Sequence, residues 1–155
     1  MEDAMKKLRT LYLIASEAGF RLVQTHELQA RDPDLIEITH KTSANFADVA
    51  YNYPSEQSHN HGGPGAPGFD TGATANKVEQ ERIRFVRHIV AALEAEWAKG
   101  THDRIVIAAG PKMLGELRNA LPKALLPHVA KELHKDLMKI PLHDLAPHFV
   151  EVSEA

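Results

Sequence analysis

The residues able to do chemistry gather before and at the start of one long helical pattern. His59 and His61 stand two residues apart, with Asp70 downstream. Imidazole and carboxylate bind zinc and other first-row metals, and a loop can gather them. No third ligand stands at a diagnostic spacing. A solvated polar loop is therefore the plainer reading of His59, His61 and Asp70, and a metal site the sharper one. Gly62, Gly63, Pro64 and Gly65 follow. Glycines expose backbone N–H groups, and a helix start favours anions. The phosphate-loop pattern GxxxxGK(S/T) is absent, and no GxGxxG follows a strand. A lid or linker competes with the phosphate cradle, and no cofactor is expected.

Lys77, Arg82, Arg84, Arg87 and His88 put bases on the first turns of the helical pattern. Beside a glycine loop they could grip a nucleic-acid backbone. Glu79, Glu81, Glu94 and Glu96 dilute that charge, and Lys77–Glu81 is spaced as an ordinary surface pair. Lys135 and Asp136 close the last predicted strand. Open α/β sheets keep their sites at strand ends, although the pair could equally cap the next turn. There is no HExxH, no GxSxG elbow, no paired-carboxylate motif and no cysteine. A conventional hydrolase has little support from the residues, and an enzyme of any kind is not the first expectation.

The elements that must position these residues are short. Leu8–Ala15 reads as a buried strand, and Phe20–Thr25 alternates as a second. Gly19 lies in the turn between them. Leu35–Thr39 alternates as a third strand, which gives an antiparallel meander. His40–Gln57 is ambiguous; Phe46, Val49 and Tyr53 could form a short helical face before Pro54. A helix is predicted from Asn76 to Trp97, capped by Thr74 or Asn76 and ended by Gly100. Its inward stripe is Val78, Phe85, Val86, Ile89, Val90, Leu93 and Trp97. Arg104–Ala109 is a continuous apolar strand, covered on both faces. Pro111 opens a helix with Met113, Leu114, Leu117 and Leu121 inward. Val129–Leu137 alternates as a strand, with a helix as the competing reading. Pro141–Phe149 reads as a last short helix with Leu142 and Leu145 inward. The order β-β-β-α-β-α-β-α predicts one mixed sheet with helices packed on it, similar to the ribonuclease H-like arrangement.

At 155 residues the chain suits one domain spanning 1–155, with 43% apolar and 25% charged residues. The net charge of −3 argues against a protein that coats polyanions over its whole surface. No stretch approaches the length of a membrane span, and none reads as a signal peptide, so no membrane insertion and a cytoplasmic location are expected. A homo-oligomer is compatible with everything above. Residues 58–72 hold five of the nine glycines and two of the nine prolines, and Phe69 is their one large apolar side chain. Ordering each residue costs roughly 1–2 kcal/mol of backbone entropy. One buried phenylalanine returns only about 1.5–3 kcal/mol. The composition therefore predicts a mobile loop at 58–72, quick to exchange and to be nicked, beside a protected Val78–Trp97.

Three stretches carry a family resemblance: Thr10–Gln24 (TLYLIASEAGFRLVQ), Asp103–Leu121 (DRIVIAAGPKMLGELRNAL) and Lys131–Phe149 (KELHKDLMKIPLHDLAPHF). The chain resembles the bacterial host attachment proteins, the proteins required for attachment to host cells. The first strand of such proteins usually ends Ala-Asp; here it ends Ala15-Ser16. They are in turn similar to the bacterial archaeo-eukaryotic release factor-like proteins and the central domain of peptide-release factors. That resemblance implies a ribonuclease H-like fold and a Gly-Gly-Gln loop before a long basic helix. His61-Gly62-Gly63-Pro64 and the helix around Arg84-Phe85-Val86-Arg87 occupy the comparable places. Pro64 stands where the glutamine would be, and Gln57 could replace it only if the loop folds back. The resemblance implies a binding module for the ribosome, tRNA or another RNA, gripped by the loop and by Lys77, Arg82, Arg84, Arg87 and Lys135. An indirect role in adhesion and an ester or phosphodiester hydrolase are the alternatives it leaves open.

Overall fold

The computed structural model describes residues 8–25, 35–49 and 67–149, with side chains from Asn76 onward in the last stretch. Strands β1 (Thr10–Ala15), β2 (Gly19–Thr25) and β3 (Leu35–Thr42) come first, and a 3-10 turn at Ser43–Asn45 follows. Helix α1 (Pro67–Trp97) leads to β4 (Arg104–Ala109) and helix α2 (Pro111–Ala120). Strand β5 (Val129–Leu133) and 3-10 turns at Leu126–His128 and Leu142–Asp144 complete the order.

The five strands form one mixed sheet in the order β3-β2-β1-β4-β5. β1, β2 and β3 run antiparallel, while β1, β4 and β5 run parallel. β1 is buried at every position and β4 at all but its first, as expected of central strands covered on both faces. Successive side chains alternate between the faces. Leu11, Leu13, Ile105 and Ile107 face Phe85, Val86, Ile89 and Leu93 of α1 and Met113, Leu114 and Leu117 of α2. Tyr12, Ile14, Val106 and Ala108 face Leu133, Leu137, Leu145 and Phe149 from the end of the chain. The Tyr12 and Phe149 rings stack at 4.2 Å.

Arg21 fastens this last segment to the sheet. It is only 3% exposed. Its Nη1 donates to the carbonyls of Leu137, Met138 and Ile140, and its Nε donates to Glu37 at 2.7 Å. The backbone of β3 approaches closely enough to require glycine at position 19, with the Met138 side chain of the last segment beside it. A Cβ there would lie 2.8 Å from the Lys41 carbonyl and 3.0 Å from Met138 Cε.

Several boundaries differ from the sequence expectation. α1 starts at Pro67, so Pro67–Gly72 are helical and not loop, and Thr74 and Asn76 lie inside the helix without capping it. Pro67 suits the first helical position, and no proline interrupts the chain again before Pro111. Gly68 and Gly72 each disfavour helix by about 1 kcal/mol. Extending an existing helix costs no new nucleus, which lets them be carried. Residues 58–66, and Tyr53 and Pro54, lie outside the described residues. β5 stops at Leu133, short of Leu137, because the chain leaves the sheet and the Asp136 carboxylate accepts from the Met138 N–H at 3.0 Å. Pro141–Phe149 opens with a 3-10 turn, and Leu145 is buried as expected. Gly100 does end the α1 region: its φ is +76° and its N–H reaches the Trp97 carbonyl at 3.1 Å.

Candidate functional site

The chain leaves β1 toward β2 on one side and returns through α1 to β4 on the other. Crevices in open α/β sheets form where strand order diverges in this way, beyond the carboxyl ends of the strands. Ala15 and Ala109 are register partners at those ends. Ser16 and Glu17 follow the first, and Gly110, Pro111 and Lys112 follow the second. A cavity of about 360 Å³ opens here, lined by Glu17, Ser43, Val49, Val78, Glu81, Arg82 and Lys112. A groove of about 510 Å³ between α1 and α2 shares Val78, Arg82 and Lys112 with it.

Helix α1 contributes Glu81 and Arg82 to the charged walls of the cavity, facing Glu17 and Lys112. Arg82 is turned inward, 9% exposed, and its Nε donates to Glu17 at 3.0 Å. Its Nη1 lies 3.8 Å from Glu79. Glu81 is 7% exposed. Its Oε2 accepts from Arg84 Nη2 at 2.9 Å, while its Oε1 is shielded from water and accepts no hydrogen bond among the described residues. An unsatisfied buried acceptor costs about 1–3 kcal/mol. Arg84 also donates through Nε to the Asp48 carbonyl at 3.1 Å. Next to it, His88 stacks on Phe46 at 4.3 Å and meets Asp48 Oδ1 at 2.7 Å. That hydrogen bond holds the Asp48 carboxyl below its usual range, against a smaller opposing effect of desolvation.

From the start of α2, Lys112 lines the cavity, and Pro111 and Lys112 line the adjoining groove. Gly110 is the N-cap of α2 and offers no side chain, and Pro111 has no N–H to offer. The first bond inside the helix runs from the Leu114 N–H to the Gly110 carbonyl at 2.8 Å. The N–H groups of Lys112 and Met113 are left at the positive end of the helix dipole, with no acidic residue in the first turn. Chemically the site offers a buried acceptor, a cation at the rim and backbone donors.

The residues singled out by sequence are distributed differently. Gln57, His59, His61, Gly62, Gly63 and Pro64 lie outside the described residues. Asp70 lies in the first turn of α1. Among the described residues, no group of three or more histidine or acidic side chains could hold a metal ion. Lys77, Arg87 and Lys135 are exposed. Arg82 and Arg84 do not form a basic stripe with them, because both are engaged by glutamates of α1 and the β1–β2 turn. Lys135 lies beyond β5, not within it.

The sequence offers Arg82 as a base for nucleic acid and Glu81 as an acid that dilutes it on a solvated face; the structure buries both. The signal that places them was present: position 81 lies four before Phe85, and position 82 three before Phe85 and four before Val86. Both therefore fall on the inward stripe. Lys112 and Ser43 carried no pattern of their own.

No helix among the described residues is long and apolar enough to cross a membrane. No curated protein matches the chain. A family model does match, over residues 9–149, which takes in all five strands, both helices and every residue lining the cavity. On that match the chain belongs to bacterial archaeo-eukaryotic release factor family 12.

Proposed function

We propose that this protein is a binding module for the ribosome or for RNA, working from the end of the sheet where α1 and α2 meet. The observation that carries the reading is the extent of the family match, since residues 9–149 include the cavity and both helices around it. The strand order, with three antiparallel strands followed by parallel ones, supports a ribonuclease H-like form of the release factor-like domain. Ten lysines and arginines are exposed among the described residues, but of these Lys112 alone lines the cavity. Contact should therefore rest on shape and hydrogen bonding as much as on phosphate neutralisation, and salt should weaken it only moderately. Pro64 lacks the side-chain amide of the release-factor glutamine, so binding is favoured over ester hydrolysis. The resemblance to host attachment proteins extends this reading to an indirect effect on adhesion.

Cosedimentation with purified ribosomes at low and high salt tests the proposal. Association at low salt that persists in part at high salt is the expected result. No association at any salt would contradict it.

A further inference from the structure

Three unspent groups meet at the cavity beyond β1 and β4. Glu81 lines the cavity, and its Oε1, tucked behind that wall and shielded from water, has no hydrogen bond among the described residues. The terminal torsion of a glutamate is broad, so a small turn brings that oxygen to an entering donor. Lys112 lines the same cavity and makes no ion pair among the described residues. The first N–H groups of α2 adjoin it, with no side chain capping them.

A ligand that uses all three needs a hydrogen-bond donor at one end and an anion at the other. Sugar hydroxyls donate to buried carboxylates, and a phosphate sits well at a helix start beside a lysine. The charge balance limits the anion. Among the described residues, Glu17, Glu79, Glu81 and Glu116 line the cavity and its adjoining groove against Arg82 and Lys112, and Arg82 is already held by Glu17. A polyphosphate would be repelled, whereas one phosphate can be accepted. The volume of about 360 Å³ suits a ligand of nucleotide size. Val49 and Val78 supply an apolar wall. We infer that this cavity takes one ribose-phosphate unit, its hydroxyls donating to Glu81 and its phosphate held by Lys112 and the start of α2. The inference rests on the RNA reading above and names the part of the RNA recognised; a free nucleoside monophosphate has the same chemistry.

Calorimetric titration of the full chain tests it. The probes are adenosine 5′-monophosphate, its 2′,3′-dideoxy analogue, inorganic phosphate and a short oligoribonucleotide. The ribonucleotide should bind about tenfold or more tightly than the dideoxy form, because only it can fill the Glu81 acceptor. Inorganic phosphate should bind more weakly than either, and Lys112→Ala should weaken the ribonucleotide. Tighter binding of the oligoribonucleotide than of the monophosphate assigns the site to an RNA end; the reverse assigns it to the free nucleotide. Equal binding of the ribo and dideoxy forms, or no binding of either, overturns the inference. This comparison uses the unaltered chain and does not depend on a variant folding. Ribosome cosedimentation without nucleotide binding overturns the cavity inference alone. Nucleotide binding without cosedimentation supports the cavity and overturns the ribosome as partner.

Discussion

The two halves of α1 each bury a glutamate, and the two sites are finished differently. Glu81 and Glu96 are both 7% exposed. At Glu96 both oxygens are used: Oε2 meets His102 Nε2 at 3.0 Å and Oε1 meets Lys99 Nζ at 3.0 Å. Trp97 stacks near His102 and His128, closing that end of the helix. At Glu81 one oxygen is used, the other has no partner among the described residues, and the residue lines a cavity. Equal burial thus hides two kinds of site. A satisfied carboxylate ties elements together, here α1 to the approach to β4. An unsatisfied one gives up stability and keeps an acceptor for something else.

The largest expected effect lies at the satisfied end. Glu96→Ala leaves the buried His102 ring without its partner and should cost about 1–3 kcal/mol in urea unfolding. A loss within experimental error would mean that the pair ties nothing.

Acid should sharpen the contrast. Burial pushes the Glu96 carboxyl upward, but the hydrogen bonds from His102 and Lys99 and their charges outweigh it and hold it below the usual glutamate range. The folded protein then binds this proton less readily than the unfolded chain. The stabilisation is complete above the ordinary glutamate value of about 4.3 and is lost as pH falls through the lower folded value. Wild type and Glu96→Gln should therefore differ in melting temperature at neutral pH and converge below that window. A gap that persists in strong acid would show that charge is not the cause.

A smaller effect is expected at the exposed Asp48–His88 pair beside the cavity. His88→Ala should let the Asp48 carboxyl titrate closer to its ordinary value, read by carbon NMR, with little change in stability. An unchanged titration would remove His88 as the cause.

The strands were legible because period-2 alternation and continuous apolar runs are strong local signals. Arg104–Ala109 has the expected bounds, and β1 and β2 differ from theirs by one or two residues. The start of α1 was not legible, because Gly68 and Gly72 have turn composition whatever the long helix beyond them does. The end of β5 was missed because His134, Lys135, Asp136 and Leu137 keep the strand alternation after the backbone has turned away. The cavity was missed for a different reason. Helical spacing shows that Glu81 faces inward, but it does not choose between Lys77 and Arg84 as partner. It also cannot reveal an oxygen left without one, since that depends on how α1, α2 and the β1–β2 turn meet.

The account turns on Glu81 being held for a ligand and not for the fold, and equilibrium urea unfolding of Glu81→Leu tests this most directly. The substitution removes a buried carboxylate with an empty acceptor, and Arg84, with its side chain 37% exposed, can turn to water. The variant should be as stable as wild type or slightly more stable, within about 1 kcal/mol. A loss as large as that of Glu96→Ala would show that Glu81 is a structural tie, and would contradict the distinction between the two ends of α1.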